Sequence, residues 1–171
     1  MLVVRNSSSY EKISSVMFFV SFVSISCTTR VLNHPITNVN CESIDSRIIN
    51  FKVLGIDDTK FASISGYVDG KRFYQNDTLV DKLPSANVWV EDILTDSIYG
   101  IATNPDGEYN LEISPSKYNL NVQFVGFNVL KIDGIKIDSG EKIDISILLG
   151  QGCGQTLYKV NNDKTFTKIN L

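Results

Sequence analysis

From Tyr118 to Phe124 every second residue is apolar: Tyr118, Leu120, Val122 and Phe124 alternate with Asn119, Asn121 and Gln123. Successive side chains of a strand point to opposite faces. A period of two therefore marks a strand with one face in a core and the other in water. The period recurs along the chain. Ile64, Gly66 and Val68 share one side of residues 61–68. Ala86, Val88 and Val90 face away from Asn87, Trp89 and Glu91. Tyr109, Leu111 and Ile113 alternate within 108–113, and Ile143, Ile145 and Ile147 alternate with Lys142, Asp144 and Ser146. Residues 97–103 read as a further short strand. Residues 127–137 read as one or two more, with Gly134 between, and residues 70–83 as a polar loop without period. Asn104-Pro-Asp-Gly107 is a tight turn, in which Pro presets φ and Gly accepts a positive one. No segment has the 3.6-residue period of an amphipathic helix. Strands at intervals of roughly ten residues, with turn signals between them, predict an all-β sandwich. Residues 48–56 and 155–169 are candidates for extra edge strands.

The N-terminus is organised differently. Arg5 and Lys12 precede an uncharged run, residues 13–25, without Pro or Gly. Its length suits the apolar stretch of a signal peptide and falls short of the roughly 20 residues of a transmembrane helix. Ser26-Cys27-Thr28-Thr29 follows, and resembles the lipobox of bacterial lipoproteins. It departs from that pattern at Ser24, where the family carries Leu, Val or Ile. The resemblance implies cleavage before Cys27, a diacylglycerol thioether on its sulfur and acylation of the new amine. Each methylene buried in the bilayer then contributes about 0.8 kcal/mol. An ordinary secretory signal and an uncleaved anchor are the alternatives. Thr28, where an Asp would signal inner-membrane retention, points to the outer membrane. The absence of an acidic run in residues 28–33 points to its periplasmic leaflet.

Removing residues 1–26 from the 171 leaves enough chain for one domain with a core. These residues carry Arg5, Lys12 and Glu11, so the net charge moves by one unit, from −3 to −4. A mild, mixed charge without a Lys/Arg cluster argues against nucleic acid as a partner. The expected organisation is a signal peptide at 1–26, a tether at 27–47, a sandwich at 48–150 with its core at 61–149, and an extension at 151–171. With Cys27 lipidated, Cys41 and Cys153 remain. An even pair in an oxidising compartment suggests a disulfide, and two unrelated thiols are the alternative.

Catalytic chemistry is hard to assemble. Hydrolysis needs a nucleophile, a base and an oxyanion site. The single histidine, His34, falls in the tether, and no G-x-S-x-G or H-E-x-x-H is present. No catalytic residue, cofactor or metal site is expected. Asp57-Asp58 and Asn104-x-Asp106 lack the ligand loop calcium needs and read as surface turns. Trp89, the only tryptophan, and Tyr67 both lie opposite apolar strand faces. An exposed aromatic pair on a sheet can stack on sugar rings. The competing expectation is that Trp89 fills a small second core under residues 48–56.

Four segments in order carry a family resemblance: Ile64-Ser-Gly-Tyr-Val68, Leu83-Pro-Ser-Ala-Asn-Val88, Ala102-Thr-Asn-Pro-Asp-Gly-Glu-Tyr-Asn-Leu111 and Leu120-Asn-Val-Gln-Phe-Val-Gly-Phe127. Together they resemble the carboxypeptidase regulatory-like domain, which also occurs at the N-terminus of TonB-dependent receptors of Bacteroidetes. The resemblance covers about residues 61–149. It implies a seven-stranded, transthyretin-like Greek-key sandwich and an accessory role without catalytic residues. The expected function is that of an envelope lipoprotein acting as a structural or protein-interaction module at the outer membrane. A carbohydrate-binding lipoprotein is the alternative.

Overall fold

The computed structural model describes residues 42–169. Cys27, His34 and Cys41 lie outside them. Eleven strands make up the described chain, and it contains no helix. In chain order they are β1 (Arg47–Ile56), β2 (Ala62–Tyr74), β3 (Asp77–Lys82), β4 (Asn87–Asp92), β5 (Ile98–Ala102), β6 (Glu108–Ile113), β7 (Ser116–Gln123), β8 (Val129–Ile137), β9 (Glu141–Gly150), β10 (Gln155–Val160) and β11 (Phe166–Ile169).

They form two sheets. The first runs β1-β9-β2, with β6 and β3 end to end along the far side of β2. The second runs β11-β10-β8-β7-β4-β5. The seven expected strands divide as β9, β2 and β6 in the first sheet and β8, β7, β4 and β5 in the second. The order β7-β4-β5 with β6 beyond it, across the sheet edge, is the 4-1-2-3 sequence of a Greek key. Ile64, Ile145, Leu120, Ile132 and their alternating neighbours meet between the sheets with no measurable exposure. Each such side chain contributes about 1.5–3 kcal/mol relative to an exposed one.

Both candidate extra strands are present. β1 adds to β9, while β10 pairs parallel with β8 and carries β11. They extend the two sheets on the same side, and Phe51 of β1 meets Phe166 of β11 edge-on at 4.8 Å. Residues 127–137 contain one strand, β8. Gly134, at φ +82°, lies opposite a register shift between Tyr118 and Leu120, and its N–H donates to Asn119 Oδ1 at 3.1 Å. Gly134 is thus the site of a bulge rather than a break.

Residues 70–83 are not a loop. β2 continues to Tyr74, turns through Gln75 and Asn76, and returns as β3, with Tyr74 opposite Asp77. This hairpin runs beyond the core, so its residues from Arg72 to Lys82 are exposed on both faces. No burial exists there to impose a period. Arg72–Asp81 and Lys82–Asp69 ion pairs, each at 3.0 Å, bridge its strands.

Gly66 determines how the first sheet closes. A Cβ there would overlap the Ile145 carbonyl oxygen. The parallel β2–β9 ladder pairs Ser65 with Asp144 and Val68 with Ile147 but opens between them. The opened groups find other partners. Tyr109, opposite Gly66 on β6, donates its hydroxyl to the Ile145 carbonyl at 2.6 Å, and Ser146 Oγ accepts from the Tyr67 N–H at 3.4 Å. Burial of the Tyr109 ring, with the Asp144 charge nearby, pushes its hydroxyl pKa far above the ordinary tyrosine value.

Ahead of β1, residues 43–46 are also held. Asn128 Nδ2 donates to Ser43 Oγ at 2.7 Å and to the Ile44 carbonyl at 2.8 Å, while its Oδ1 accepts from Gly154 N at 2.6 Å. Fully buried Ser46 accepts from Gly150 N at 2.9 Å. The lead-in therefore lies against the β9–β10 turn, which carries exposed Cys153.

Candidate functional site

The open edge of β5 brings together apolar side chains, backbone hydrogen-bonding groups and a concave surface. The sequence Ile98-Tyr-Gly-Ile-Ala102 favours a strand through its β-branched and aromatic residues. Both of its ends are pinned. At the start, buried Asp92 accepts from Leu94 N at 2.8 Å, Thr95 N at 3.3 Å and Ser116 Oγ at 3.0 Å. At the finish, Thr103 Oγ1 donates to the Leu83 carbonyl at 2.5 Å and accepts from Ala86 N at 2.8 Å.

Burial acts to raise the Asp92 pKa, but the hydrogen bonds from Leu94, Ser116 and Thr95 outweigh it and hold the carboxyl below its ordinary value near 3.8. Burial and the Asp92 charge push neighbouring Tyr118 up to about 12.

The pairing of β5 with β4 decides what its edge presents. Asp92 N donates to the Ser97 carbonyl, and Thr103 N to the Ala86 carbonyl. Antiparallel ladders alternate, so Tyr99 and Ile101 also bond across to β4. Ile98, Gly100 and Ala102 then aim their N–H and C=O groups outward. The side chains divide the opposite way. Tyr99 and Ile101 stand opposite Val90 and Val88 and share their core-facing side. Yet Tyr99 is 38% exposed and Ile101 41%, while Val90 and Val88 are sealed. The apolar interior is unfinished at this edge.

Trp89 lies opposite Gly100 on the outer side of the second sheet. It is half-buried, and its Nε1–H donates to Glu91 Oε1 at 3.1 Å. β1 belongs to the other sheet, so no second core forms between Trp89 and residues 48–56. A hollow of about 410 Å³ adjoins Trp89, Gly100 and Ala102. Tyr67 is on the first sheet, facing outward opposite Glu108. The structure therefore does not bring Trp89 and Tyr67 together as one stacking pair. Lys82 Nζ stands 4.2 Å from the Tyr67 ring centroid and occupies one of its faces. Tyr67, Asn110, Asp144 and Ile101 border a second hollow of about 500 Å³.

Among the described residues, no three His, Cys, Asp or Glu side chains gather as a metal site. Asp57 pairs with Lys142, and Asn104 Oδ1 accepts from Asp106 N and Glu108 N within its turn. The sequence carries the apolar character of β5 openly. What it conceals is that β5 ends a sheet, because that depends on distant pairings.

The chain thus presents a two-sheet sandwich with an uncovered, hydrogen-bonding edge. Compared with models of known protein families, it matches none, and no curated protein matches it significantly.

Proposed function

We propose that this chain is a non-enzymatic lipoprotein of the bacterial envelope, anchored through Cys27, whose carboxypeptidase regulatory-like sandwich is a protein-interaction module at the outer membrane. The β5 edge carries this reading. A pre-formed strand with outward N–H and C=O groups and exposed Ile98, Tyr99 and Ile101 suits addition of a strand from another protein. The Greek-key sandwich and the ordered motifs of residues 64–127 support the domain assignment. The apolar run and Cys27 support the anchor.

Two measurements test it. Palmitate labelling with intact-mass analysis is expected to give a triacylated chain starting at Cys27, and Cys27→Ser is expected to abolish label and membrane association. A photo-cross-linking residue at Ile98 is expected to capture protein in cells, while one at Val125, 92% exposed in the β7–β8 turn, is not. Unlabelled wild type would remove the anchor, and equal silence at both positions would remove the interaction role.

A second reading is carbohydrate binding. Its support is Trp89, which β1 leaves uncovered beside a hollow on an outer face that also carries Asn87 and Gln123. A saturable change in the fluorescence of this sole tryptophan on titration with oligosaccharides is expected if it holds. A flat response across neutral, acidic and aminated glycans sinks it.

A further inference from the structure

We infer that the partner of the β5 edge is a second copy of this chain, paired antiparallel about a two-fold axis at Gly100. The inference rests on the interaction-module reading and names its partner. The first observation is charge. Edge strands in soluble proteins are ordinarily guarded by charged residues against pairing with other chains. Among the described edge strands, β1 carries Arg47 and Lys52, β3 carries Asp77, Asp81 and Lys82, β6 carries Glu108 and Glu112, and β11 carries Lys168. β5 carries none. It is the one edge that pairing does not penalise.

The second observation is register. The outward-bonding residues are Ile98, Gly100 and Ala102, and they are symmetric about Gly100. An antiparallel copy centred there makes Gly100 a hydrogen-bonded pair with Gly100 of the second copy, and Ile98 one with Ala102. Every outward N–H and C=O of the strand is then matched. Tyr99 falls opposite Ile101 of the second copy, on the core-facing side. Their apolar surfaces, now 38% and 41% exposed, cover one another and carry the interior across the axis. Just outside the strand, Asp96 faces Asn104, so no like charges oppose. On the outer side the row across the axis reads Trp89, Gly100, Gly100, Trp89. A side chain at position 100 would crowd Trp89, whose Cβ stands 3.0 Å from where a Cβ would be. The two glycines leave room for both indoles to lean over the joint.

Register gives the test. Two tagged full-length chains, one carrying Tyr99→Cys and the other Ile101→Cys, are co-expressed, purified in mild detergent and oxidised with copper phenanthroline. A disulfide-linked dimer of the two tags is expected from the mixture. With native Cys41 and Cys153 replaced by Ser in every chain, none is expected from either single variant or from the chain without an introduced cysteine, because position 99 faces 101 and not itself. Sedimentation of the uncross-linked full chain is expected to give a dimer for wild type and a monomer for Ile101→Lys, with unchanged circular dichroism. Ile101 is already exposed, so the lysine spares the fold. A monomeric wild type, or cross-links that form equally in the single variants, overturns the inference. A monomer whose Ile98 photo-cross-linker captures a different protein overturns the second copy but leaves the interaction module standing. A monomer that captures nothing sinks both.

Discussion

Gly66 and Tyr109 form one device. The missing Cβ lets the Ile145 carbonyl come close, and the Tyr109 hydroxyl fills the opening this makes in the ladder. Gly66→Ala is expected to cost roughly 2–4 kcal/mol in urea unfolding, because backbone must move to admit one methyl. Tyr109→Phe leaves that buried carbonyl without its hydroxyl donor and is expected to cost about 1–3 kcal/mol. The two effects should fall short of additive, since they act on one opening. Asp92 gives a pH signature. Its pKa is depressed on folding, so its contribution is present above the unfolded value near 3.8 and is lost as pH falls through the folded value. Asp92→Asn should flatten the stability–pH curve below about pH 4 relative to wild type. At this scale the sequence was partly legible. The close approach at Gly66 could be anticipated from a glycine inside an alternating strand. The Tyr109 hydroxyl bond could not, because it joins residues 36 positions apart across three strands.

At the scale of elements, legibility followed burial. β4, β6, β7 and β9 each have one face in the core, and their alternation announced them. β3 and the outer half of β2 have no core to face, so solvent on both sides erased the pattern that strand recognition needs. Sheet membership was hidden for a related reason. A period of two says which side of a strand is wet but not which sheet the strand joins, and so Trp89 and Tyr67 looked like neighbours while belonging to different sheets. The added strands β1 and β11 support each other through Phe51 and Phe166. Phe166→Ala is expected to cost about 1–3 kcal/mol, below the figure for a sealed phenylalanine because this ring is only half-buried. It should also speed amide hydrogen exchange in β1 more than in β2.

At the scale of the molecule, the two lateral margins of the sandwich differ. On one side β1, β10 and β11 extend both sheets until their aromatic residues meet. On the other, β5 leaves core-facing Tyr99 and Ile101 in water. A single chain of this design closes its apolar interior on one side and leaves it open on the other, which is why the oligomeric state is the most informative property to measure. Replacing Gly100 with Val should weaken both the joint and the β4–β5 packing, whereas Ile101→Lys should affect the joint alone. Comparing the two separates assembly from folding.

Asn128 also has a mechanical meaning. Any tension drawn into this fold from its N-terminal side enters at Ser43 and Ile44, and the first bonds it loads are those to the Asn128 amide and the one from the Ile44 N–H to the Gln151 carbonyl. Only after they part does the load reach buried Ser46 and begin to peel β1 from β9. The side chain acts as a cleat on the incoming line. In single-molecule pulling from the N-terminus, Asn128→Ala should lower the first rupture force and leave the later, core-breaking event where it was.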